Sequence, residues 1–211
     1  MKIAIIGASG KQGSLLAKEA LKRGMDVTAI VRNASAFSLS GAHVLQKDIF
    51  ALAHADLAPF DVVISAFGTW GDMSLHAKAM QHLCGILKKH ENIRFLVVGG
   101  AGSLYLDASH SKRLMDAWDF PQEYLPVAKG MADALDILRK SEDVNWVYLS
   151  PAAEFVADAP PTGKYRVGGE ELMTDDTGKS RISYADYASA MIDEAEKGTS
   201  RKQRISVIGL P

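Results

Sequence analysis

At 211 residues, with 47 % hydrophobic residues and a formal net charge of −1, the chain has the size and composition of one globular domain with a substantial core. The near-neutral balance gives no overall field toward nucleic acid or an anionic membrane, no apolar run reaches spanning length, and Ile3–Ile6 is far too short for a signal-peptide core. Cys84 is the one cysteine, which excludes an intrachain disulfide or a cysteine-built metal site and makes a reducing cytoplasm the default location.

Strands and helices alternate from the first residue. Lys2–Ile6 is an apolar run ended by Gly7. Lys11 to Arg23 reads as a helix with Leu16, Ala17, Ala20 and Leu21 on one side and Gly24 as its stop. Asp26–Val31 is the second strand and His43–Gln46 a short third. Asp61–Ser65 and Ile93–Val98 are the fourth and fifth, separated by a helix over roughly Met73 to His90. Val144–Leu149 is the sixth, after a helix that ends near Lys140. A last helix covers Tyr184 to Lys197 with Ser183 as its N-cap, and Ile205–Ile208 closes the sequence as a seventh strand.

Nearly continuous apolar strands separated by helices predict an α/β fold, a doubly wound parallel sheet in one domain over residues 1–211. Ala157 to Ser180 breaks the alternation with Pro160-Pro161, Gly168-Gly169 and the turn Asp176-Thr177-Gly178. That stretch predicts small hairpins, a substrate lid over the carboxyl end of the sheet spanning residues 157–182.

G-A-S-G-K-Q-G, Gly7 to Gly13, follows the first strand and opens the first helix, the context a dinucleotide loop needs. Gly7 permits the tight turn, Gly10 lets the backbone approach a pyrophosphate, and Gly13 lets the helix pack closely on the sheet. The helix start then offers free N–H groups and the positive end of its dipole. An NAD-selective site places an acid at the end of the second strand, but this sequence has Arg32 there. A guanidinium suits a 2′-phosphate as a bidentate donor, with Lys11 as a second cation, so NADPH is expected over NADH. Asp48 follows the third strand, where it can accept from an adenine amino group. Ser65-Ala66-Phe67-Gly68 and Gly99-Gly100-Ala101-Gly102-Ser103 end the fourth and fifth strands with mostly small residues, leaving room for a ligand in the crevice at the topological switch point.

Together, G-A-S-G-K-Q-G, A-I-V-R-N, D-V-V-I-S-A-F-G, V-V-G-G-A-G-S-L, T-G-K-Y-R and R-I-S-Y-A-D-Y-A resemble the atypical short-chain dehydrogenases/reductases. The likeness is nearest to the small bacterial NAD(P)-binding group named for NADH-flavin reductase activity, related to biliverdin reductase B and to nitrogen-metabolite-repression regulators. The resemblance implies a Rossmann-like sheet of order 3-2-1-4-5-6. It puts Gly7, Ser9, Gly10, Lys11, Gln12 and Gly13 at the pyrophosphate and Arg32 at the 2′-phosphate. It puts Asp48 by the adenine, Ala66 and Phe67 beside the adenosine half, and Ser150-Pro151-Ala152 near the nicotinamide. Gly68 and Gly100 belong to the same strand-end openings, and Ser103 falls where related reductases keep a substrate-facing Ser or Thr.

Many such reductases use a Tyr and a Lys four apart on one helix. Here Tyr124 and Lys129 are five apart. On a helix from Pro121 to Lys140, with Asp119 as N-cap, Tyr124 shares the apolar face with Val127, Ala128, Met131, Leu135 and Leu138. Lys129 lies about 140° away, paired with Asp133. Ala128 holds the fourth position, so the dyad is read as absent. A ketone needs a positioned acid when hydride arrives, whereas a flavin or quinone spreads the added charge and takes its proton from solvent. Ser103 and Tyr124 remain as candidate hydrogen-bond donors, with a core tyrosine the simpler role for Tyr124.

Several features are set aside. Thr177-Gly178-Lys179-Ser180 lacks the glycine that a triphosphate loop needs at Met173, and the histidines show no metal spacing. Trp70, Trp118 and Trp146 read as packing residues, and Ser183-x-x-Asp186 as a helix start with a capping acid. The expectation is a cytoplasmic NADPH-dependent reductase of a flavin or quinone-like acceptor, with no nucleic-acid, membrane or metal partner and with a homo-oligomer left open. Its rivals are a non-catalytic NADP(H)-sensing protein and a nucleotide-sugar epimerase or dehydratase.

Overall fold

The computed structural model describes residues 1–211. In chain order the elements are β1 (Lys2–Ile6), α1 (Lys11–Lys22), β2 (Asp26–Val31), β3 (His43–Gln46), α2 (His54–Leu57), β4 (Val62–Ser65), α3 (Ser74–Leu87) and β5 (Arg94–Val98). They continue as α4 (Leu125–Arg139), β6 (Asn145–Ser150), β7 (Glu154–Val156), β8 (Tyr165–Gly168), β9 (Arg181–Ser183), α5 (Tyr184–Lys197) and β10 (Gln203–Gly209).

Eight strands form one sheet in the order β3-β2-β1-β4-β5-β6-β10-β8. The expected 3-2-1-4-5-6 core is present, β10 adds the seventh strand in parallel beside β6, and β8 adds an eighth, antiparallel to β10. The period of two along each strand sorts side chains onto two covered faces. Ile3, Ile5, Val62, Ile64 and Leu96 meet Leu16, Ala17 and Ala20 of α1 and Tyr187 and Met191 of α5. Ala4, Ile6, Val63, Phe95 and Val97 meet Met80, Leu83 and Leu87 of α3 and Leu135 and Leu138 of α4.

Residues 157–182 depart from the hairpins expected there. Tyr165–Gly168 pairs with the free edge of β10, and Arg181–Ser183 pairs in parallel with Glu154–Val156 as a separate two-stranded sheet. Each short strand found an edge on another element, and the turn-rich residues between them carry the crossings. Asp186 does more than cap α5. The Ser183 hydroxyl accepts from Asp186 N at 2.9 Å, while the Asp186 carboxylate accepts from the backbone N–H of Thr162 at 3.0 Å and Gly163 at 2.9 Å. A buried acid thus ties the 160–164 turn to the start of the last helix.

The helix carrying Tyr124 also starts later than expected. A short 3-10 turn covers Gln122–Tyr124, and α4 begins at Leu125 with Pro126 in its first turn, where a missing N–H costs nothing. Asp119 caps neither turn, since Pro121 and Tyr124 hold those positions without side-chain bonds. The expected apolar face is otherwise present, with Ala128, Leu135 and Leu138 buried.

Charged pairs join α1 to α5. Arg23 reaches Glu19 at 2.9 Å and Asp193 and Glu196 at 2.7 Å each. Burial pushes the Asp193 carboxyl up, but hydrogen bonds from Lys197, Arg23 and Tyr165 outweigh it and hold the group at about 2. An unfolded aspartate titrates near about 3.9. The pair therefore stabilises fully above that value, and its contribution drains away as pH falls from about 4 toward 2. In urea unfolding, the wild-type midpoint is expected to fall steeply across this window and that of Asp193→Asn to fall less; parallel curves would contradict the assignment.

Candidate functional site

The carboxyl ends of β1, β4, β5 and β6 open on one side of the sheet, and the loop after β1 is built by three glycines. Gly7 has φ +78°, in the left-handed region, and a Cβ there would stand 2.9 Å from the Ala66 carbonyl oxygen. The loops after β1 and β4 therefore touch at this residue. A Cβ on Gly13 would lie 2.2 Å from the Gly7 oxygen, so the first turn of α1 rests directly on the loop backbone. Gly10 is exposed, with only the Gly7 oxygen nearby at 3.3 Å, so its open side is where a side chain would otherwise project.

This helix start fits a diphosphate. Gly10 is the N-cap and offers no side-chain acceptor, and no acid lies in the first turn. The amides of Lys11, Gln12 and Gly13 point out of the helix end without intrahelical acceptors, whereas Ser14 N already bonds Gly10 O at 2.9 Å. Lys11 puts a cation at the positive end of the dipole, an arrangement that an anion relieves. Ser9 is exposed beside it. Gln12 turns inward: its Nε2 donates to the Tyr184 carbonyl at 3.3 Å, and its buried Oε1 has no partner.

Arg32 follows β2, is exposed and forms no ion pair; the next residue, Asn33, fixes the chain by accepting from Ser35 N at 3.1 Å. Asp48 is exposed after β3, and one of its oxygens caps the following turn through Phe50 N at 2.9 Å. Ala66 and Phe67 are half-buried after β4, and Gly68 is exposed with open space where a Cβ would be. His76 of α3 holds this loop through Thr69 O at 3.2 Å and meets the Phe67 ring edge at 5.9 Å. Burial pushes the His76 imidazole below its ordinary value, which keeps it neutral at pH 7.

After β5 the small residues also serve packing. A Cβ on Gly99 would be 2.3 Å from the Tyr148 ring, and one on Gly100 2.8 Å from the Met131 sulfur. Gly100 N donates to the Tyr148 hydroxyl at 3.0 Å, which itself donates to Met131 O at 3.3 Å, and burial raises that phenol to about 12, so it stays protonated at neutral pH. Ser150, Pro151 and Ala152 are buried at the end of β6, and the Ser150 hydroxyl has no partner.

Ser103 is 7 % exposed and accepts from Arg204 Nη1 at 3.1 Å. Sequence reasoning missed this arginine. The Arg204 side chain is fully buried and pairs with Glu170, which also pairs with Arg139 of α4 at 2.7 Å. Arg204 and Ser206 alternate with the apolar Ile205 and Val207 along β10, so a charged residue in that strand was the available signal.

Tyr124 is not a core residue: it is 48 % exposed, at the N-cap of α4, with its ring edge-on to Trp70 at 5.9 Å. The late start of α4 removes it from the apolar face. Trp70 and Trp118 are 70 % and 91 % exposed, against the packing role expected of them, while Trp146 is buried as expected. Lys129 is exposed, and the expected pair with Asp133 is not formed. No group of histidine, cysteine and carboxylate side chains is placed to hold a metal.

Residues 7–196 match the family described as NAD(P)H-binding. The chain belongs to that NAD(P)H-binding family. A curated relative, the uncharacterized protein YwnB of Bacillus subtilis (strain 168), is 46 % identical over 209 residues, covering 99 % of this chain and 98 % of the relative. A crystal structure from Streptococcus pneumoniae TIGR4, described as "a putative NADH-flavin reductase", is 46 % identical with a TM-score of 0.96 over all of both chains. Another, described as a "putative epimerase" from Bacteroides thetaiotaomicron, is 38 % identical with a TM-score of 0.88, covering 100 % of this chain and 97 % of that one. The family, the fold and these neighbours agree with the atypical short-chain dehydrogenase/reductase resemblance of the motifs. No helix of the NAD(P)H-binding chain is long and apolar enough to cross a membrane.

Proposed function

We propose that this chain is a cytoplasmic NADPH-dependent oxidoreductase that reduces a flavin or quinone-like acceptor. The uncapped start of α1, opened by Gly7, Gly10 and Gly13, carries the reading. There the free backbone amides of Lys11, Gln12 and Gly13, with the side chains of Ser9 and Lys11, hold the pyrophosphate. Arg32 takes the 2′-phosphate and the free oxygen of Asp48 the adenine amino group. Ala66, Phe67 and Gly68 flank the adenosine half; Gly100, Ser150, Pro151 and Ala152 border the nicotinamide. Residues 157–182, whose turn at Thr162 and Gly163 is tied to Asp186, serve as the substrate lid at the carboxyl end of the sheet.

When bound, the reduced nicotinamide supplies hydride. The chain's own residues orient it and the acceptor and exclude water, and solvent supplies the proton. The separate, exposed positions of Tyr124 and Lys129 favour acceptors that need no protein acid. The same observation favours a second reading, a non-catalytic NADP(H) sensor. The name of the Bacteroides neighbour raises a third, an epimerase, which returns hydride to its own substrate. NADPH oxidation with free flavins and quinones separates the reductase from the other two, because only the reductase gives net turnover.

The cofactor preference has its own test. Charge-assisted hydrogen bonds contribute about 1.5–3 kcal/mol, so Arg32→Ser is expected to weaken NADPH binding about 10- to 100-fold and leave NADH binding nearly unchanged. Equal wild-type affinity for the two nucleotides would contradict the role of Arg32.

A further inference from the structure

Four of the chain's exposed large hydrophobic residues, Trp70, Leu106, Trp118 and Tyr124, lie on the loops that follow β4 and β5. Trp70 and Tyr124 come from different loops yet meet edge to face, with ring centroids 5.9 Å apart and planes at 67°. Their surroundings are fixed. His76 holds the loop of Trp70 through Thr69, and Asp72 accepts from Ser74 N at 2.9 Å and from the Ser74 hydroxyl at 2.6 Å. The same loop begins at Ala66, whose carbonyl packs on Gly7 of the diphosphate loop, so the aromatic pair stands on the β4–β5 side of the nucleotide crevice.

Acidic side chains predominate on the two segments that carry the pair. Residues 66–73 and 116–124 carry Asp72, Asp116, Asp119 and Glu123 and no lysine or arginine. Arg113 neutralises Asp116 at 2.9 Å. The Ser74 hydrogen bonds hold the Asp72 carboxyl below its ordinary value, so it is charged at neutral pH. Helix starts usually attract phosphate, but Asp72 already occupies the start of α3 and Glu123 stands in the turn before α4.

We infer that Trp70 and Tyr124 form the acceptor subsite and that it takes an uncharged planar fused ring, such as riboflavin or a neutral quinone, over a phosphorylated flavin. The inference rests on the reductase reading for its chemistry but not for its binding test. A flat ring gains area and quadrupole contact on an aromatic pair that is otherwise wet, whereas a phosphate arm meets the Asp72, Asp119 and Glu123 carboxylates, the Arg113 ion pair offsetting only Asp116.

The experiment is riboflavin fluorescence quenching by the NADP+-saturated protein, alongside NADPH oxidation kinetics with riboflavin and its 5′-phosphate. Trp70→Ala and Tyr124→Ala are each expected to weaken riboflavin binding and raise its KM about tenfold, with NADPH affinity unchanged. The wild type is expected to bind riboflavin about tenfold more tightly than the phosphate at low salt, with the gap closing as salt screens the carboxylates. Quenching that disappears in the variants supports the subsite even if nothing turns over, an outcome that would sink only the reductase reading. Turnover that both variants retain at wild-type KM overturns the subsite alone. A preference for the phosphorylated flavin also overturns it, as does a loss of self-association in Trp70→Ala without any change in riboflavin binding, which would mark the pair as a subunit contact.

Discussion

Gly13→Ala is expected to weaken NADPH binding by about a hundredfold and to lower the unfolding temperature. The new methyl would stand 2.2 Å from the Gly7 oxygen and 2.9 Å from both the Ala8 Cα and the Gly7 carbonyl carbon. All three are backbone atoms, so no side chain can swing away. Either the start of α1 or the loop must move by about 1 Å, and a displacement of that size costs roughly a hundredfold where geometry sets binding or rate. The amides that face the diphosphate move with the helix. Gly85→Ala is the matched control: Gly85 is exposed within α3, nothing lies within 4 Å of its added Cβ, and its φ is not in the left-handed region. That change is expected to be neutral or to stabilise by about 0.5–1 kcal/mol without touching nucleotide affinity. Equal nucleotide affinities in the two variants would contradict the close-packing role of Gly13.

The largest expected loss of stability comes from Glu170→Gln. Glu170 sits between Arg139 and the fully buried Arg204, whose Nη2 also donates to the Glu170 carbonyl at 3.0 Å. Burial pulls the Arg204 guanidinium below its ordinary range and Glu170 pulls it back. Without the carboxylate a buried cation has no counter-charge, which costs about 3 kcal/mol, or roughly 10 °C in unfolding temperature at this chain length. Arg113→Ala breaks a more exposed pair and is expected to cost less than about 1 kcal/mol. Adding Arg204→Met to Glu170→Gln is expected to recover part of the loss, because it removes the orphaned charge. A Glu170→Gln protein as stable as wild type would contradict the buried-pair account. Because Tyr105 N bonds Glu170 O at 3.0 Å and Leu172 N bonds Tyr105 O at 2.8 Å, the same cluster joins the loop after β5 to the 157–182 segment.

The sheet was legible because its strands are nearly all apolar, and a strand buried on both faces can be little else. The glycine loop was legible because its position between the first strand and first helix gives each glycine a steric task, and the distances at Gly7 and Gly13 bear that out. What escaped reading depends on partners distant in sequence. Nothing near Tyr165–Gly168 says that its pairing edge will be β10, and nothing near Arg204 says that its counter-charge will be Glu170. The periodicity that put Tyr124 on an apolar face assumed a helix already running at Pro121; Pro126 in the first turn moved the start to Leu125. Trp70 and Trp118 were assigned to packing by residue type alone, and type does not say which side of a loop faces water.

The most direct test of the nucleotide site is calorimetric titration of the wild-type protein with NADPH, together with its unfolding temperature at saturation. The account predicts one saturable site per chain, tighter for NADPH than for NADH, and an upward shift in unfolding temperature that grows with ligand concentration as mass action requires. Absence of both binding heat and thermal shift at saturating NADPH would contradict it.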